Sequence, residues 1–145
     1  MKKTVLVSAC LLGEPCRYDG KSKPNASVKA LEQVFRLVSV CPEVLGGLPT
    51  PRVPSEIKGG AVVSKDGACV TEFFVMGAIK ALEKARENGC CVAVLKARSP
   101  SCGSGSVYDG AFSGKLVEGD GITASLLKKN GIKVFTEDDV TELLS

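Results

Sequence analysis

Two kinds of apolar pattern alternate along the chain. Four short runs, Thr4 to Ser8, Leu37 to Val40, Cys91 to Leu95 and Lys133 to Phe135, are rich in Val and Leu and lack polar alternation. A strand covered on both faces reads this way, so these runs predict a buried, mostly parallel sheet. Segments with helical spacing lie between them. Ser27 to Arg36 puts Val28, Leu31, Val34 and Phe35 on one face, and Glu72 to Asn88 presents Phe74, Ala78, Ala81, Leu82 and Ala85. The second of these begins after Thr71, a capping residue type, and stops at Gly89. Ile122 to Lys129 ends at Asn130-Gly131. A last helix is expected from Thr136, with Glu137, Asp138 and Asp139 in the first turn, where the helix dipole favours acids.

This β-α-β-α rhythm predicts a three-layer, Rossmann-like α/β domain spanning residues 1–145. A chain of this length buries roughly 70% of its unfolded surface, enough for one core. One stretch breaks the rhythm. Residues 42–60 contain Pro42, Pro49, Pro51 and Pro54, and AVVSKDGACV (61–70) reads as a small hairpin turning at Asp66-Gly67. A proline-dense loop of this length inside a compact domain is more often functional than passive.

Charge changes the picture little. Nineteen basic and sixteen acidic residues give a net +3, too mild to point to nucleic acid. The N-terminal MKKTVLVSACLLG has a short apolar part that runs into GEPCRYDG, so it reads as the first strand and not an export signal. No run is long enough to span a membrane. Seven cysteines without an export signal suit a reducing compartment, the cytoplasm, as free thiols or metal ligands. The chain has no histidine, which excludes Ser-His-Asp and Cys-His pairs and His-containing zinc sites.

The positions of the cysteines carry more. Cys10 follows the first strand, Cys41 the second, and Cys102 lies in the loop after the third. Ligands of open α/β sheets bind beyond the carboxyl ends of the strands, so three thiols are expected at one edge. Three thiolates without histidine suit an iron–sulfur cluster or another soft metal, and three unrelated thiols remain the alternative. Cys90 and Cys91 open a core strand and Cys69 sits in the hairpin, where small buried hydrophobes are expected. Cys16 is ambiguous. It would be the fourth ligand if the site held a structural zinc. A further alternative is a phosphate- or nucleotide-binding module using Gly103 to Gly105 as a nest of N–H groups, although no phosphate-loop motif is present.

Four stretches, SACLLGEPCRYDG (8–20), CPEVLGGLPTPR (41–52), DGACVTEFFVMGA (66–78) and SPSCGSGSVYDGAFSG (99–114), resemble the domain-of-unknown-function family that includes thiouracil desulfurase. The likeness covers nearly the whole chain in order. It implies a [4Fe-4S] cluster held by Cys10, Cys41 and Cys102, with one iron open to the sulfur of a thiolated base. The expected activity is non-redox desulfuration of a small thiolated pyrimidine to the oxo base and sulfide. The expected acid–base residue is Glu43, two residues after Cys41. Ser101, beside Cys102, is the candidate proton relay and Ser99 a weaker one. Tyr18 and Tyr108, each in Tyr-Asp-Gly, are candidates to stack on a flat base. Arg52 is a candidate for a substrate oxygen, and Gly103 for close backbone approach to the ligand.

Overall fold

The computed structural model describes residues 2–144. In chain order its strands are β1 (Thr4–Ser8), β2 (Arg36–Val40), β3 (Ser55–Lys58), β4 (Ala61–Ser64), β5 (Val92–Leu95), β6 (Ser106–Tyr108), β7 (Leu116–Glu118) and β8 (Lys133–Thr136). The helices are α1 (Ala26–Lys29), α2 (Pro42–Leu45), α3 (Thr71–Glu87), α4 (Ile122–Lys129) and α5 (Val140–Leu144). Turns of 3₁₀ helix cover Ala9–Leu12, Ala30–Gln33 and Glu137–Asp139.

Four parallel strands form the central sheet in the order β2-β1-β5-β8. Alternate residues of the inner strands serve opposite layers. Leu6, Ala93 and Leu95 pack with Ala81, Leu82 and Ala85 of α3 and with Ala124 and Leu127 of α4. Val5, Val7 and Val94 pack with Leu11, Val28, Leu31, Phe135 and Val140 on the other side. The fold is therefore the expected mixed α/β arrangement around a parallel sheet. Among the described residues no helix is long and apolar enough to cross a membrane.

Local departures have physical causes. The helix expected through Arg36 ends early: α1 passes into the 3₁₀ turn Ala30–Gln33, and Arg36 already donates its N–H to the Lys3 carbonyl as part of β2. The tighter turn moves Val34 off the buried face, leaving it 54% exposed. Thr71 does not cap α3. It is the first helical residue, and its hydroxyl accepts from the Val62 N–H, tying the helix to β4. The expected turn at Asp66-Gly67 is present: Ser64 N–H donates to Ala68 O, Gly67 N–H to Ser64 O and Val70 N–H to Val62 O, and Val63 pairs antiparallel with Cys69. An additional turn, not expected, joins β3 to β4 at Gly59-Gly60. Both of those glycines have positive φ, which that turn requires. A second hairpin, β6–β7, grows out of what reads in sequence as a loop. Thr136 is the last residue of β8 and caps the following turn through a capping box with Asp139. Cys91 and Cys69 are exposed, not buried as expected; β5 starts at Val92, one residue after Cys91.

The proline-dense segment supplies α2, whose position depends on two glycines. A Cβ at Gly46 would collide with the backbone carbonyl of Phe73, and one at Gly77 with that of Pro42. Their absence lets α2 lie directly on the backbone of α3. Gly77→Ala is expected to destabilise the protein by about 1–3 kcal/mol, the usual cost of overpacking a tight contact. A thermal melt reads this, and a melting temperature equal to the parent's would refute it.

Candidate active site

Three strands of the sheet, β1, β2 and β5, deliver polar residues at their carboxyl ends, and these line one cavity of about 520 Å³. β1 ends at Ser8 and turns at once into the 3₁₀ segment that carries Cys10. β2 ends at Val40, and Cys41 follows it with the extended backbone (φ −123°, ψ 98°) that a residue before proline adopts. Pro42 then starts α2 and places Glu43 in its first turn. β5 leads into Lys96 and the loop with Ser99, Ser101 and Cys102.

The N-terminus of α4 fixes that last loop. Ile122 N–H donates to Pro100 O, Thr123 and Ala124 N–H to Ser101 O, and Gly121 N–H to Gly103 O. Gly103 is consequently a packing residue: a Cβ there would meet Ser99 O at 2.7 Å, and its amide donates to the same carbonyl. The amide of Gly105, at the other end of the Gly103–Gly105 run, and those of Ser101 and Cys102 are also engaged. Ser99 Oγ accepts from Ser101 N–H and Cys102 N–H at 3.1 Å each, and Asp120 accepts from Gly105 N–H at 2.9 Å. These contacts leave no nest for a phosphate, which removes the phosphate-module alternative.

Glu43 is gripped at both oxygens. Arg52 Nε donates to Oε1 at 3.0 Å and Ser101 Oγ donates to Oε2 at 2.9 Å. The direction of the serine chain follows from lone-pair counting. Ser99 Oγ already accepts two amides, so it donates to Ser101 Oγ at 2.9 Å, and the Ser101 proton goes to Glu43. Cys102 Sγ lies farther from Ser101 Oγ, at 3.5 Å. Arg52, expected to meet substrate, is otherwise engaged: its side chain is 7% exposed, and its remaining nitrogens donate to Pro49 O, Thr50 Oγ1 and Cys16 O. Tyr108 lines the cavity, as does Tyr18 at its open side, 42% exposed with Arg17 over its ring.

All three candidate thiols line this cavity, and Cys16 joins them. The Cys16 thiol is pushed up to about 11, first by the neighbouring Cys10 thiol and then by burial, against the opposing effect of Cys41. Cys41 is raised as well, first by Cys16 and then by burial. Cys102, 4% exposed, is pushed up to about 12 by burial, against the opposing effect of hydroxyl donors at Ser8 (3.3 Å) and Ser101. Among the described residues no three Cys, Asp or Glu side chains are arranged to hold a lone metal ion. That disfavours a four-cysteine zinc site. Ser8, Lys96, Glu56 and Phe112 also line the cavity and were not singled out from sequence. Ser8 carries a signal, as the strand's last residue beside Cys10; Glu56 and Phe112 carry none.

Comparison with known proteins places this geometry among relatives. The family described as 2-thiouracil desulfurase matches residues 5–139. An uncharacterized protein named YbbK, from Bacillus subtilis (strain 168), is 42% identical over 97% of this chain and 99% of its own length. A solved structure described as the [4Fe-4S]-dependent thiouracil desulfidase TudS superposes with a TM-score of 0.93 at 48% identity, covering 99% of this chain and 96% of that one.

The raised thiols have a measurable consequence for the metal-free protein. With Cys102 moved from 9.0 to about 12, the folded state holds this proton more tightly than the unfolded chain does. That preference is intact below the unfolded value and is lost as pH rises from about 9 toward 12. Denaturant midpoints of the metal-free protein are expected to fall across this window, and Cys102→Ala to flatten part of the fall. Parallel profiles for the two proteins would remove Cys102 as a cause.

Proposed function

The chain belongs to the 2-thiouracil desulfurase family, and from this premise and the cavity's geometry we propose that it removes sulfur from a thiouracil-type base in a [4Fe-4S]-dependent reaction. The balance is C=S plus water to C=O plus hydrogen sulfide, with no net electron transfer. One observation carries the proposal: a carboxylate fixed at both oxygens stands in the same cavity as cysteines from three separate strand ends.

The donor set fits such a cluster. Cys10, Cys41 and Cys102 are soft ligands on three loops, with no histidine in the chain. A cluster spreads its irons apart, so its thiolates need not converge on one point as those of a lone zinc must. The hydroxyl of Ser8, aimed at Cys102 Sγ, would stabilise that sulfur as a thiolate. When bound through these three cysteines, the cluster supplies an iron without a protein ligand, a Lewis acid for the sulfur of the thiocarbonyl.

The chain's own residues do the rest. Glu43 takes the proton of the water that adds to the carbon, and Ser101 Oγ returns a proton toward the departing sulfur. Ser99, donating to Ser101, keeps that hydroxyl aimed at Glu43. Arg52 does not touch substrate in this scheme. It holds Glu43 Oε1, and by donating to Cys16 O it fixes the segment between Cys10 and the first helix. Tyr18 and Tyr108 offer aromatic surface for the flat base. All seven cysteines are free thiols, in keeping with a cytoplasmic location.

Anaerobic reconstitution followed by assay on 2-thiouracil tests the reaction directly. Turnover with release of uracil and sulfide is expected; a fully loaded cluster inactive on every thiolated base would reject desulfuration. Glu43→Gln should keep the visible absorption and lower turnover by about 10²- to 10⁴-fold, the usual range for a general acid–base group. An unchanged rate would remove Glu43 from the chemistry. Alanine at Cys10, Cys41 or Cys102 should abolish absorption and activity together, whereas Cys16→Ala should retain most of both. Loss of the cluster in Cys16→Ala would instead make it a ligand.

A further inference from the structure

Phe112 lines the cavity with its backbone in the left-handed region, at φ 56°. Among the described non-glycine residues only Arg98, also in the cavity wall, shares a positive φ. Bulky residues adopt this conformation at a cost, and keep it only where the surroundings dictate it. Here they do. Glu56 Oε1 accepts from Gly110 N–H at 3.0 Å and from Phe112 N–H at 3.1 Å, so one carboxylate oxygen on β3 pins the loop between β6 and β7 at two points. Asp109 holds Ala111 N–H at 2.9 Å between them. Gly110 packs so closely that a Cβ would meet Ile57 O at 2.7 Å.

A strained backbone, buttressed from another hairpin, thus brings an aromatic ring to the wall of the cavity. Phe112 has no polar atom with which to recognise a ligand, so what it offers is a flat apolar face. We propose that Phe112 is a specificity-determining residue that stacks on the planar ring of the substrate, and that Glu56 is the positioning residue that holds it there. This rests on the thiopyrimidine reading above and adds the feature that selects a flat, unsaturated ring. Neither tyrosine is placed in this way. Tyr18 is largely open to solvent with Arg17 on its ring, and Tyr108 sits in a strand pair opposite Leu116.

Uracil and dihydrouracil separate stacking from hydrogen bonding, because they share polar groups but only uracil has a flat, conjugated ring. Calorimetric titration of the cluster-free chain with each is expected to show uracil favoured by about tenfold, the scale of one base–aromatic stack. Phe112→Leu should abolish the preference, and Phe112→Trp should keep it. Glu56→Ala should weaken the preference, while Glu56→Gln, whose amide oxygen still accepts both N–H groups, should restore it. In the reconstituted enzyme Phe112→Leu should raise KM for 2-thiouracil with kcat little changed. A parent that binds both rings equally, or a Phe112→Leu variant that keeps the preference, overturns the assignment. A reconstituted parent inactive on 2-thiouracil that still prefers uracil overturns the desulfuration reading and leaves the stacking assignment standing.

Discussion

Parallel pairing of β1 with both of its neighbours is the constraint from which the site follows. With β2 on one side and β5 on the other, all running the same way, each strand must be left at the same edge of the sheet. Ser8, Cys41, Lys96 and Glu137 therefore emerge together, although as many as 129 positions separate the first from the last. Burial of both faces of β1 fixes the register. A slip by one residue would turn Val5 and Val7 toward the layer that Leu6 occupies, exchanging two cores that differ in shape.

An edge so rich in polar groups is stable only because each finds a partner. Glu43 is matched by Arg52 and Ser101, and Lys96 by Glu137 at 2.9 Å, whose other oxygen accepts the Ala97 N–H. Leaving any of these half-buried charges unpaired would be costly, since breaking one partner strands the other. The thiols are handled differently. Cys41 and Cys102 are raised and so stay neutral until a cation arrives, and loading a metal group onto them releases protons.

Much of this was legible in the sequence, for identifiable reasons. The unalternating runs of Val and Leu gave the sheet, and the position of each cysteine relative to a strand end gave the edge at which they meet. Glu43 and Ser101 stand beside two of those cysteines, so proximity in sequence led to both. Arg52 was visible as a candidate, but its role was not. No local pattern tells that its guanidinium reaches back to Glu43 and Cys16, because those contacts depend on how residues 46–52 fold. Phe112 was invisible for a related reason. Its loop has turn composition, and only the contact with Glu56, 56 positions earlier, makes it part of the cavity. The turn at Asp66-Gly67 was legible because Asp-Gly is turn chemistry between apolar residues; β3 was not, because its pairing with β4 depends on the separate turn at Gly59-Gly60.

The β6–β7 hairpin is a sheet of its own, joined to the parallel strands by loops and leaning on β3. The three candidate thiols and Glu43 stand instead on the turns, loops and short helix that follow strands of the parallel sheet. On the roles proposed for Glu43, the cysteines and Phe112, reactivity and fit are carried by different modules of one small protein. Drift in residues 106–118 can reshape what enters while leaving the reactive groups where they are. Such a division would let the choice of molecule change through a peripheral ribbon, with the buried parallel sheet untouched.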